Sequence, residues 1–128
     1  MQVSERESPF DTPHYAWFWS VVDRIRAAPE ATAAVFQEMS VEQLEEFYNI
    51  YLAVSVELYP ENSYEEKGWC EEGIACASDW VVNQGKAFYA AVYNDLSRSP
   101  DPDGVPYCAL SGWAAGEYYR RTGQEFHY

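Results

Sequence analysis

A chain of 128 residues, 48% apolar and 17% aromatic, is long enough to bury one core and too apolar for a disordered chain. Twenty-one acids against eight bases leave a net charge of −13. That argues against nucleic acid or an anionic membrane as partner, since both demand Lys and Arg to displace counterions.

No stretch approaches the roughly eighteen consecutive apolar residues of a membrane span. The opening "MQVSERESPFD" carries acids where a secretion signal carries bases, and no apolar core follows. Three cysteines is an odd count. Reduced thiols in a cytoplasm are the expectation.

Residues 1–11 read as a polar arm, and residues 12–126 as a single helical domain. Thr12-Pro13 supplies an N-cap and a proline at the first helical position. Tyr15, Phe18, Trp19, Val22 and Ile25 follow at helical spacing, with Asp23, Arg24 and Arg26 left for solvent. Pro29 ends this helix or begins the next, and "EATAAVFQEM" (Glu30–Met39) suits a short second one.

Ser40 opens the clearest helix. In "SVEQ" the Ser40 hydroxyl accepts from the Gln43 amide while the Gln43 side chain accepts from that of Ser40, and Met39 and Leu44 flank this capping box as a hydrophobic staple. Leu44, Phe47, Tyr48, Tyr51, Val54, Ser55 and Leu58 make the apolar face; Glu42, Glu45, Glu46 and Asn49 make the other. Pro60 stops the helix, and "ENSYEEKG" has the period of neither helix nor strand.

The next apolar stripe is Ile74, Ala77, Val81, Gln84, Phe88 and Val92, and it crosses Gly85. It predicts a helix over about 73–84 and a second, or a bent continuation, over 86–94. "SRSPDPDG" (Ser97–Gly104) is turn chemistry. Pro106 starts a final helix carrying Leu110, Trp113, Ala114, Glu117 or Tyr118, and Arg121. Gly123 stands where a C-cap glycine belongs, and Arg120 and Arg121 occupy the last turn, where cations suit the helix dipole. Strand signals are almost absent, so the expected class is all-α, a single compact domain of five or six helices.

"WCEEGIACASDWVVNQG" (Trp69–Gly85) comes nearest to a chemical motif. A structural zinc site wants four close-spaced Cys or His ligands, whereas Cys70 and Cys76 lie six apart, Cys108 is distant, and His14 and His127 stand at opposite ends. Six helical residues turn the two thiols about 120° apart. Glu71 and Glu72 fit the first turn of a helix, where carboxylates suit the dipole. The stretch therefore reads as a helix with an acidic cap, its cysteines small apolar residues and Trp80 at the edge of the core. No catalytic residue, metal ligand or cofactor is assigned. The glycines of "GWAAG" (Gly112, Gly116) suggest that a neighbouring backbone or ring comes close to that helix face.

Several motifs occur together: Phe18, Trp19, Val22 and Asp23; "MSVEQLEEF" (Met39–Phe47); Gly68, Glu71, Glu72, Trp80, Val81, Val82, Gln84, Gly85 and Lys86; and Thr122, Gly123 and Glu125. In this order, over about residues 16–126, they resemble the bacterial domain-of-unknown-function family 4240, small single-domain proteins with no established activity. The resemblance implies a helical fold rather than a function. The family usually has Asp-Asp at Glu71-Glu72 and Phe-Arg at Ala77-Ser78, and an aliphatic segment where this chain has "ENSYEEKG".

Charge gives the first functional expectation. From Glu30 to Glu72 stand eleven acids and one base, Lys67. A non-enzymatic binding protein, immunity-, inhibitor- or adaptor-like, would meet a basic protein through Glu42, Glu45, Glu46, Tyr48, Glu65, Glu66, Trp69, Glu71 and Glu72. The alternative is an enzyme or small-molecule binder with an aromatic-lined pocket near Glu71–Lys86, for which Trp19, Asp79, Trp80, Gln84 and Lys86 are candidates.

Overall fold

The computed structural model describes residues 15–59, 71–100 and 109–125, and for Glu71 and Glu72 the backbone alone. Expectations at residues 1–11, Thr12-Pro13, Pro60, "ENSYEEKG", Trp69, Cys70, Pro106 and Cys108 lie outside the described residues. Within them the chain is all-α and compact, with six α-helices, two 3-10 turns and no strand.

Helix α1 (Ala16–Ala27) buries Phe18, Trp19, Val21, Val22 and Ile25 and leaves Asp23, Arg24 and Arg26 exposed. Its C-cap Ala28 leaves the helical region at φ −144° because Pro29 follows it. Pro29 then opens a 3-10 turn (Pro29–Ala31), where its missing N–H leaves nothing unpaired, so it serves as both stop and start. Helix α2 (Thr32–Gln37) buries Thr32, Val35 and Phe36.

Helix α3 (Val41–Glu57) begins with the complete capping box: Gln43 N–H donates to Ser40 Oγ at 3.1 Å, and Ser40 N–H to Gln43 Oε1 at 2.9 Å. Met39 and Leu44 both lie in the core beside it. Helix α3 is the hub, packing most extensively on α6 (Leu110–Thr122) and α4 (Glu71–Asn83), and also on α1.

Helices α4 and α5 (Lys86–Asn94) are separate. Gly85 sits between them at φ +99° and ψ 173°, a conformation closed to L side chains, and its carbonyl accepts the first α5 bond from Tyr89 N–H at 3.0 Å. A Cβ there would also come within 3.0 Å of Asp23 Oδ1 on α1.

The buried face keeps three-and-four spacing across the break, through Ser78, Val82, Gly85, Tyr89 and Val92. Of the stripe expected to cross Gly85, Ile74, Ala77 and Val81 are buried before it. Beyond the break the buried set is Tyr89, Val92 and Tyr93, while Gln84 and Phe88 are only half-buried.

The core is threaded by rings: Phe36 edge-on to Phe47 (5.1 Å), Phe47 to Phe18 (5.0 Å), Phe18 edge-on to Trp19 (4.9 Å), and Trp19 to Tyr89 (5.3 Å). This run joins α2, α3, α1 and α5, each pair adding about 0.5–1.5 kcal/mol beyond its buried area. Tyr89, fully buried, donates its phenol to Val54 O on α3 and so keeps no unpaired polar atom.

Helix α6 ends as expected, with Gly123 left-handed at φ +71° and its N–H donating to Tyr119 O at 2.8 Å. The expected close approach at Gly112 and Gly116 is corrected: a Cβ on either would meet nothing within 4 Å.

Candidate functional site

Three surfaces carry chemistry, and the first is the outer face of α3. Glu42, Glu45 and Glu46 are exposed on a seventeen-residue helix that contains no base, and no ion pair among the described residues reaches them. Four arginines are engaged elsewhere. Arg24 meets Glu38 at 3.0 Å, Arg98 meets Asp95 at 3.6 Å, and Arg120 and Arg121 share Glu117. Across from this row, the Tyr118 hydroxyl on α6 hydrogen-bonds Glu45, and that negative partner raises the phenol's pKa. Tyr48 does not belong to the surface row; only 7% exposed, it sits in the core, because its position falls on the apolar stripe. Glu65, Glu66 and Trp69 lie outside the described residues, as do the side chains of Glu71 and Glu72.

The second surface is the seam between α3 and α4. Ser55 Oγ donates to Asp79 Oδ1 at 2.9 Å and lies 2.8 Å from Ser78 Oγ, which donates to Ala75 O at 3.1 Å. Tyr51 donates to Asn83 Oδ1 at 2.9 Å one turn further along. Burial raises the pKa of the half-buried Asp79, and the Ser55 hydrogen bond opposes that only in part.

The third is the seam between α2 and α6. Arg121 Nε donates to Glu117 Oε2 at 2.7 Å, and its two terminal nitrogens donate to the carbonyls of Phe36, Gln37 and Met39. It thereby satisfies acceptors at the C-terminal end of α2 across 85 residues of sequence. Arg120 grips the other side of Glu117 through Nε and Nη2. These guanidinium hydrogen bonds hold the Glu117 carboxyl down at about 2. Beside the clamp lies an open groove of about 450 Å³, bordered by Phe36, Trp113, Glu117 and Arg120. On the other flank of Trp113 a second groove, about 530 Å³, is bordered by Ile25, Arg26, Asn83, Gln84 and Leu110.

The pocket candidates do not converge. Trp19 is 3% exposed in the core, Lys86 is exposed, and Trp80 is half-buried with its ring edge-on to Phe88 at 5.7 Å. Gln84 alone lines one of these two grooves, and Asp79 and Lys86 line neither. Cys76 is a half-buried free thiol. No cluster of three or more His, Cys, Asp or Glu able to hold a metal occurs among the described residues, and no described helix is long and apolar enough to cross a membrane.

The Trp113 grooves and the Arg121 clamp had no local signature. Trp113 fell on the helix's apolar stripe, and Arg121 already had a sufficient role at its own helix end. Compared with family models, curated proteins and solved structures, the chain matches none.

Proposed function

We propose that the protein is a non-enzymatic cytoplasmic binding module, inhibitor-, immunity- or adaptor-like, whose α3 glutamates engage a basic protein. The observation that carries this reading is the row Glu42, Glu45 and Glu46, without an ion pair among the described residues and set on a helix without a base, while arginines elsewhere have acidic partners. Three exposed carboxylates on adjacent turns repel one another, and a cationic surface docked there relieves that repulsion. Such a field steers association and weakens as salt screens it. The alternative of an aromatic-lined active site around Glu71–Lys86 draws no support from Asp79 and Lys86, which face no common cavity among those described.

The test is affinity capture from the native lysate at low and high salt, beside a Glu42→Lys, Glu46→Lys double variant. Glu45 is left intact because it holds Tyr118. One basic protein, enriched at low salt and lost in the variant, supports the reading. Neutral or acidic proteins as the best-captured partners, or a set the variant does not change, would sink it.

A further inference from the structure

We propose that the groove between α2 and α6 binds a small amphipathic carboxylate, its apolar body against Trp113 and its carboxylate on Arg120. The groove's volume of about 450 Å³ falls in the range of about 300–1,000 Å³ that small-molecule sites occupy. One part of its lining is apolar, and Gln37, Glu117 and Arg120 supply the polar part. Phe36 contributes from α2, and Trp113 stands 46% exposed on α6, one of three exposed large apolar side chains among the described residues.

Gly112 and Gly116 also line the groove. Neither has a positive φ, and neither would bring a Cβ within 4 Å of anything, so neither backbone conformation nor packing requires glycine there. Each costs the helix about 1 kcal/mol relative to alanine. What the two positions share is a place in the lining of the groove, with open space where a Cβ would stand.

Charge chooses the ligand. The Glu117 carboxylate is divided between two guanidiniums, so the clamp carries one net positive charge. Arg121 spends Nε on Glu117 and both terminal nitrogens on α2 carbonyls. Arg120 commits only Nε and Nη2. Its side chain is 65% exposed, and Nη1 has no partner among the described residues. A cation is therefore repelled at this end of the groove, and a neutral ring forgoes a charge-assisted hydrogen bond. A second copy of the chain, also at −13, is repelled as a whole. A carboxylate on an aromatic or aliphatic body satisfies both the walls and Arg120.

The experiment titrates the ¹⁵N-labelled full chain with 2-naphthoate and, separately, with its neutral isostere 2-naphthamide. The readout is the Trp113 indole N–H resonance, one of five, assigned by its loss in Trp113→Phe. Naphthoate is expected to move that resonance saturably, and naphthamide to bind weaker by about tenfold or more, the loss of one charge-assisted hydrogen bond. Arg120→Gln should bring the two ligands close to equal affinity. Gly116→Leu puts a side chain where a Cβ would meet nothing within 4 Å; it should keep the parental fold, melt no lower than the parent, and lose naphthoate. An indole resonance unmoved at millimolar naphthoate overturns the proposal. So does equal binding of the amide, or parental affinity in a folded Gly116→Leu.

Discussion

At Asp79, protons are counted more easily than energies. Three contacts link Asp79, Ser55, Ser78 and the Ala75 carbonyl, yet with the carboxylate ionised only two hydroxyl protons serve them. A proton on Asp79 supplies the third: the carboxyl donates to Ser55, Ser55 to Ser78, and Ser78 to Ala75. Burial, which raises this pKa, acts in the same direction. A carboxyl whose folded pKa lies above its unfolded value adds stability as pH falls through the folded value, and that stability is absent above it. Asp79→Asn provides the missing donor permanently. It should stabilise the protein at neutral pH by about 1 kcal/mol, the net value of one hydrogen bond, and the gain should shrink as acid protonates the parent. Urea unfolding of both proteins over a pH series decides it; a variant less stable than the parent at neutral pH contradicts the proton count. Arg121 is the complementary case, a charge wanted for its geometry. Arg121→Ala strands the α2 carbonyls and half of Glu117, and should cost about 2–3 kcal/mol in the same assay. Arg121→Lys should recover little, because one ammonium cannot reproduce a fork spread over three carbonyls and a carboxylate.

At the scale of the helix, what was legible in the sequence was what neighbours in sequence decide. The Ser40 capping box, the stop at Pro29, the αL glycine at Gly123 and the apolar face of α3 all follow from residues within a turn or two of one another. Gly85 lies at the edge of that reach. A stripe of three-and-four spacing crosses it unbroken, and only the conformation at φ +99°, with α1 pressed close behind, shows that the helix stops and restarts with Tyr89 and Tyr93 inward. The groove and the clamp lie beyond it, since they exist only once α2 and α6 are adjacent. The two classes of glycine accordingly diverge under substitution. Gly85→Ala forces an L residue into a forbidden region against Asp23 and Arg26, and should cost about 1–3 kcal/mol. Gly116→Ala meets nothing, and should raise stability by up to about 1 kcal/mol through helix propensity alone. Thermal midpoints moving in the same direction for both would contradict this division.

For the whole molecule the governing quantity is the charge of −13 and where it goes unpaired. A compact acidic chain repels itself more than an unfolded one, so relieving that charge should stabilise the fold. Two routes lead there. Salt screens the repulsion at neutral pH, and mild acid titrates carboxylates, with Asp79 adding its own gain as it takes up a proton. Glu117 opposes the second route. Its folded pKa is lowered to about 2 from an ordinary 4.5, so its contribution is complete above the ordinary value and disappears as pH falls from there through about 2. Stability should therefore climb from neutral pH toward about pH 5 and collapse below about pH 4, rather than peak at neutrality. At low ionic strength the thermal midpoint should rise on going from pH 7 to about pH 5, and about 0.5 M salt at pH 7 should reproduce much of that rise. Glu42→Lys with Glu46→Lys should start from a higher midpoint at pH 7 and respond less to salt. Glu117→Gln should lose stability at neutral pH and show a shallower decline in acid, because the group that loses its ion pairs there is already gone. A midpoint that falls steadily from pH 7 to pH 5 would contradict that order, and one indifferent to salt would mean that the α3 glutamates cost the fold nothing. The repulsion invoked to draw a basic partner onto α3 would then have no source in this chain.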